Sequence, residues 1–251
     1  MLVLFALVVM RMSGAVGFNP VFGRSDYPSS AKAALIFMLS LLLYLGTDSE
    51  NIRQPSSMIE FGVMLLTELF IGFILGFVME LAFLTVRFAT TVMDHAMGLG
   101  MAQVYDPQTR TQVSVTSNLY YGFLVMLFFA TDGHLWLIRL FFRTAKIIPF
   151  GMVQVTQQLC WEMLDIFQES IVMGMKFAFP LIAMELVTEA AIGILMRIIP
   201  QINVFAVNFQ IKIIVGILML LYLFSPMSEQ LYVILDHMYQ SMENMVQLMG
   251  Q

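Results

Sequence analysis

Charge is scarce in this sequence. Lys, Arg, Asp and Glu together make up 12% of its 251 residues, about half the share usual in water-soluble domains. A soluble fold of this length needs far more polar surface, so most of what surrounds this chain is lipid or other apolar protein. Basic clusters are missing too and the net charge is −5, which leaves no electrostatic footing for nucleic acid. Cysteine occurs once, at Cys160, so neither an intramolecular disulfide nor a CxxC metal site can be built. That thiol is expected to be packed and inert. Catalytic signatures are also lacking. His95, His134 and His237 show no HExxH-type spacing, and no GxSxG, P-loop or dinucleotide fingerprint occurs. Asp132-Gly133-His134 could mimic a catalytic trio, but between two apolar runs it reads as a helix break with His134 hydrogen-bonded locally. No enzymatic activity, metal or cofactor is expected.

What the sequence has instead is apolar length. Residues AVILMFWYC account for 59% of it, in runs at about 1–22, 31–46, 58–86, 118–138, 171–199 and 204–224. Several reach the ~20 residues that cross a hydrocarbon layer as a helix. The second run is short, and the third is too long for a simple upright span. The first has no basic stretch before it and contains Arg11, so it is expected to be a retained helix and not a cleaved signal. Loop Lys and Arg fall on both sides of six alternating spans and set no orientation. Two further segments are amphipathic. In 153–170, Leu159, Met163, Ile166 and Phe167 share a side, with Glu162, Asp165 and Glu169 elsewhere. Near the end, Leu231, Leu235, Met238, Met242, Met245 and Met249 alternate at spacings of four and three, a seam for packing on another helix.

Charged residues nonetheless lie in or beside the apolar runs: Glu68, Glu80, Arg87, Lys176, Glu185, Glu189, Arg197 and Lys212. A charge facing lipid costs a few kcal/mol or more, so these must face protein, water or one another. Glu185 and Glu189 share a helical face and repel unless compensated. If the last two runs fold back about Pro200–Asn203, Lys212 comes level with residue 191, and its partner is expected to be Glu189, with Glu185 as the alternate. Pro200 ends the first helix of that hairpin, while Gln201 and Asn203 satisfy backbone groups freed at the tip. Gly72 and Gly76 form a small-xxx-small pair through which another helix can approach closely, and Gly216 is a further packing glycine. The polar loop 98–117 opens with Gly98 and Gly100 and contains Asp106-Pro107. Its two readings are an exposed loop and a re-entrant segment lining a conduit. The second would make Met93, Met97 and Met101 a deformable seal. Embedded carboxylates and a lysine also suit an ion-coupled secondary transporter or proton channel, which remains the competing class.

The segments "RMSGAVGFNPVFG", "LTELFIGFILGF", "VYDP", "DGHLWLI" and "IPQINVFAVNFQIKIIVG" occur together and in order. In this the chain resembles the FliR/SctT family of type III secretion export-apparatus proteins, over nearly its whole length. The resemblance implies an all-α fold of membrane-type helical hairpins, with a FliP-like part over 1–170 and a FliQ-like hairpin plus amphipathic helix over 171–251. It implies a non-enzymatic subunit of a helical export gate in the bacterial inner membrane, at the flagellar basal body. Its partners would be FliP, FliQ, FlhB and the unfolded flagellar proteins that pass through, and nucleic acid would not be among them. By position, the family's plug falls on Gly100, Met101, Ala102, Gln103, Val104, Tyr105, Asp106, Pro107, Gln108, Thr109, Arg110 and Thr111. The injectisome branch is the alternative within the family.

Overall fold

A computed structural model describes residues 2–24, 27–47, 55–99, 104–106, 111–152, 156–198 and 204–250. The described residues form helices α1 (Leu2–Gly17), α2 (Ser29–Leu45), α3 (Met58–Ala96), α4 (Val115–Ala130), α5 (Gly133–Ile147), α6 (Gln157–Ile198), α7 (Val204–Tyr222) and α8 (Phe224–Met249). Between α3 and α4 lie two three-residue strands, β1 (Val104–Asp106) and β2 (Thr111–Val113). The class is all-α, as the apolar runs predict.

Helix boundaries follow from local chemistry. Asn19 accepts from the Val21 and Phe22 backbone N–H groups at 2.8 and 2.9 Å, an Asx turn that leads the chain out of α1. Ser57 Oγ accepts the Glu60 N–H at 3.2 Å, while Glu60 reaches back to the Ser56 N–H at 2.7 Å, a capping-box arrangement that starts α3. Gly98, at φ +76°, supplies the left-handed turn that stops α3. At the α4–α5 join, Asp132 takes φ 57° and the two helices bend by 65°. A helix break is therefore present at Asp132-Gly133-His134. The local hydrogen bond expected of His134 is not: its Nδ1 has no partner among the described residues, and its ring lies 5.3 Å from that of Phe129. Packing beside an aromatic ring has replaced hydrogen bonding.

Two helices, α3 with 39 residues and α6 with 42, are long and apolar enough to cross a membrane. The bent pairs α4–α5 and residues 208–222 with α8 pass the same test when each is taken as one span, and α1 and α2 are shorter. Among the described residues this gives two such helices, or up to four spans if each bent pair is one. α6 joins two segments that read as distinct, the amphipathic 153–170 and the apolar 171–199, and runs through Pro180 without ending. At 1.5 Å per residue, α6 is about 60 Å long, twice the hydrocarbon thickness.

The chain divides into two compact units, each assembled from separated segments. The first comprises 1–83, 125–168 and 235–251, the second 84–124 and 169–234. In the first, Leu4, Leu7, Val8, Ile71, Ile74 and Leu75 are buried, and Phe5 meets Phe37 and Tyr44 edge-on, joining α1 to α2. In the second, Tyr120 meets Phe177 edge-on at 5.7 Å. The expected α8 seam, Leu231, Leu235, Met238, Met242, Met245 and Met249, is buried along its length. Within the first unit α8 lies against α5, with Tyr239 4.4 Å from Trp136.

Two expectations on α6 require correction. Cys160 is exposed, not packed, because the helical period places it away from the buried Leu159 and Ile166. Phe167 is also exposed, although its spacing groups it on one side with Leu159, Met163 and Ile166. One residue beyond Ile166, it turns past the edge of the buried stripe.

Candidate functional site

In the first unit, the charges buried within apolar helices form one closed network. Arg11 of α1 and Glu68 of α3 are 0% and 1% exposed, and Arg11 Nε donates to Glu68 Oε2 at 2.6 Å. The remaining guanidinium nitrogens donate to the Thr144 and Ile148 carbonyl oxygens at 3.3 and 3.2 Å, at the end of α5, where the Thr144 carbonyl also accepts the Ile148 N–H at 2.8 Å. The Phe150 ring lies 4.0 Å from the guanidinium carbon. Glu68 Oε1 accepts the Gly151 N–H at 2.8 Å. Each charge is therefore matched on every side, which is what keeps a buried ion pair tolerable.

The backbones reach this proximity because side chains are missing at the crossing. A Cβ on Gly72 would collide with the Arg11 carbonyl oxygen, and one on Gly14 with the Leu69 carbonyl oxygen. At Gly76 the Phe18 Cβ would stand 3.0 Å away. The close approach at Gly72 is made by α1 of the same chain, and that at Gly76 by Phe18 just past its end. Sequence reasoning marked Glu68 and Arg11 separately and did not join them. The available signal was that two opposite charges in apolar runs each need a partner.

In the second unit, Lys212 Nζ on α7 donates to Glu189 Oε1 on α6 at 3.0 Å. Lys212 is 18% exposed and Glu189 54%, so this pair opens onto the surface. Glu185, one turn earlier, is buried, and neither of its carboxylate oxygens has a partner among the described residues. Pro200, Gln201 and Asn203 lie outside the described residues. At Gly216 a Cβ would stand 2.5 Å from Met97 Cγ, so its bare backbone receives that side chain.

The loop between α3 and α4 is anchored at its base. Asp94, fully buried, accepts the Thr116 N–H at 3.3 Å, which ties the last turn of α3 to the first turn of α4. Ser114 Oγ accepts the Ser117 N–H at 3.0 Å and caps α4. Within the loop, β1 and β2 pair antiparallel with Val104 opposite Val113, Tyr105 opposite Gln112 and Asp106 opposite Thr111. These residues satisfy backbone groups across a short hairpin. Gly100, Met101, Ala102, Gln103, Pro107, Gln108, Thr109 and Arg110 lie outside the described residues. Met93 and Met97 are fully buried.

No group of His, Cys, Asp and Glu among the described residues could hold a metal ion. His95 uses its Nδ1 locally, 2.8 Å from the Thr91 carbonyl oxygen. The arrangement offers charge pairing, helix crossing and an anchored hairpin.

A family model for bacterial export proteins, family 1, matches residues 2–238. Among similar proteins, the flagellar biosynthetic protein FliR of Escherichia coli strain K12 is 27% identical over 228 residues, 89% of this chain and 86% of that one. FliR of Bacillus subtilis strain 168 is 24% identical over 251 residues, covering 98% and 95%. FliR of Aquifex aeolicus strain VF5 is 28% identical over 202 residues, covering 80% and 78%.

Proposed function

We propose, since this chain belongs to the bacterial export proteins, family 1, that it is a non-enzymatic core subunit of the flagellar type III export gate. In this reading it resides in the bacterial inner membrane at the flagellar basal body. It forms with FliP and FliQ, and beside FlhB, the conduit for unfolded flagellar proteins. Residues 1–170 act as the FliP-like part and 171–251 as the FliQ-like part. The loop residues Gly100 to Thr111 act as the plug.

The observation that carries the proposal is the near full-length family match, together with similar proteins from distant bacteria that are all named FliR. Those names also favour the flagellar over the injectisome branch. A structural observation supports assembly. On α6, Lys176, Glu189 and Arg197 are exposed alongside Phe179, Leu186, Ile194 and Ile198. Lipid suits the second set and not the first, and water the reverse, whereas neighbouring protein subunits can satisfy both.

The plug reading draws its support from the anchored base. A segment that closes a conduit must return to one position after each substrate, and Asp94 together with Ser114 fixes where the hairpin begins and ends. One specific observation favours the second reading, an ion-coupled transporter: Glu185 is a buried carboxylate in an apolar helix with no partner among the described residues.

Co-expression with FliP and FliQ followed by native mass spectrometry tests the proposal. The expected result is a mixed complex containing this chain. FliP and FliQ assembling together while this chain is recovered only as a monomer would remove it from the gate.

A further inference from the structure

The first three turns of α6 present a surface that suits neither water nor lipid. Leu159 and Ile166 point inward and are buried. Trp161, Leu164 and Phe167 point outward and are 59%, 55% and 41% exposed, with Cys160 exposed beside them. Large apolar side chains so closely spaced are costly to leave in water. In the same turns stand the carboxylates of Glu162 and Asp165, the latter exposed. Carboxylates at this density are costly in hydrocarbon, and anionic headgroups repel them. No Lys or Arg occurs between Lys146 and Lys176, so the sequence around this surface supplies no compensating cation. A second copy of the same surface would set acid against acid.

We propose that residues 157–168 dock a helix of a different polypeptide, with an apolar stripe against Trp161, Leu164 and Phe167 and a flank of Lys or Arg against Glu162 and Asp165. The surface has the parts such a contact uses. Trp161 is the residue type that most often anchors an interface. Spacings of three along the helix repeat the anchors on successive turns, as in helix-to-helix recognition. The adjoining acidic edge selects the sign of the partner's rim and discriminates against neutral or acidic helices. The inference identifies the partner only by its chemistry and stands independently of the export-gate reading.

The test places a photo-reactive amino acid at position 164 of the full chain in its native membrane. The expected product is a cross-link to one protein, mapped to a helix with apolar residues at every third or fourth position flanked by Lys or Arg. Glu162→Lys combined with Asp165→Lys is expected to lower that cross-link about tenfold, and changing the partner's mapped basic residues to Glu to restore it. Cross-links only to lipid, to a second copy of this chain, or to an acidic or uncharged segment would overturn the proposal, as would undiminished cross-linking in the double variant. Should that variant fail to accumulate, Cys160 of the native chain decides. Maleimide is expected to label it in the purified chain and to be excluded in the membrane, and equal labelling in both overturns the proposal.

Discussion

Arg11 and Glu68 are both buried and directly paired, and their value lies in being kept together. Removing one partner leaves the other buried and uncompensated, at a cost of about 3–5 kcal/mol. Removing both leaves the Ile148 carbonyl and the Gly151 N–H without these partners, each about 1–3 kcal/mol at most, while the Thr144 carbonyl keeps the Ile148 N–H. We therefore predict that Glu68→Leu and Arg11→Met each destabilise strongly, while the double variant is less destabilised than the sum of the two by at least about 1.5 kcal/mol. Denaturant unfolding of the four proteins in detergent measures this, and additive losses would show that the two charges do not depend on each other. Lys212–Glu189 is a different case. Its carboxylate is more than half exposed, so in isolation the pair contributes little, and its weight depends on what covers it.

The helices differ in what holds them. α8 is held by its seam, so truncation there should cost what a core cavity costs. Met245→Ala is expected to destabilise by about 2–5 kcal/mol, against under about 0.5 kcal/mol for the exposed Asn244→Ala one position earlier. Thermal unfolding in detergent compares them, and equal effects would place α8 outside the core. Among the described residues, the base of the α3–α4 loop is held by a long hydrogen bond that the Thr116 N–H donates to Asp94 and by a serine cap. Such a connection can fix a resting position while remaining easy to displace. If it is the plug, deletion of 101–111 leaves the assembled gate leaky to small ions. Conductance of the purified complex in planar bilayers reads this, and an intact complex that stays tight would end the plug reading.

Across the chain, charge and apolar surface are interleaved on exposed faces. On the export-gate reading, that pattern belongs to a component and not to an independent carrier. The chain alone in liposomes is expected to conduct protons and ions no faster than protein-free liposomes. Ion flux that is lost in Glu185→Gln would reject the gate and establish the transporter reading, since Glu185 is the buried carboxylate that reading would use. The exposed early turns of α6, with apolar anchors beside carboxylates, belong to the same pattern.

Helix class, the apolar runs, the α8 seam and the closeness of Lys212 to Glu189 were all readable from spacing. Each depends on the helical period or on the register of a hairpin, and both are local properties of the chain. The family was readable too, from ordered motifs. What spacing could not supply was contact between distant segments. Arg11 and Glu68 lie 57 residues apart, and Thr144 lies 133 from Arg11; their network exists because Gly14 and Gly72 let two helix backbones touch. The continuity of α6 through Pro180 escaped composition, since a change from polar to apolar sequence does not by itself end a helix. Cys160 and Phe167 were misplaced for a related reason. At the edge of an amphipathic stripe, a rotation of one residue decides between core and surface, and that rotation is fixed by what the helix packs against.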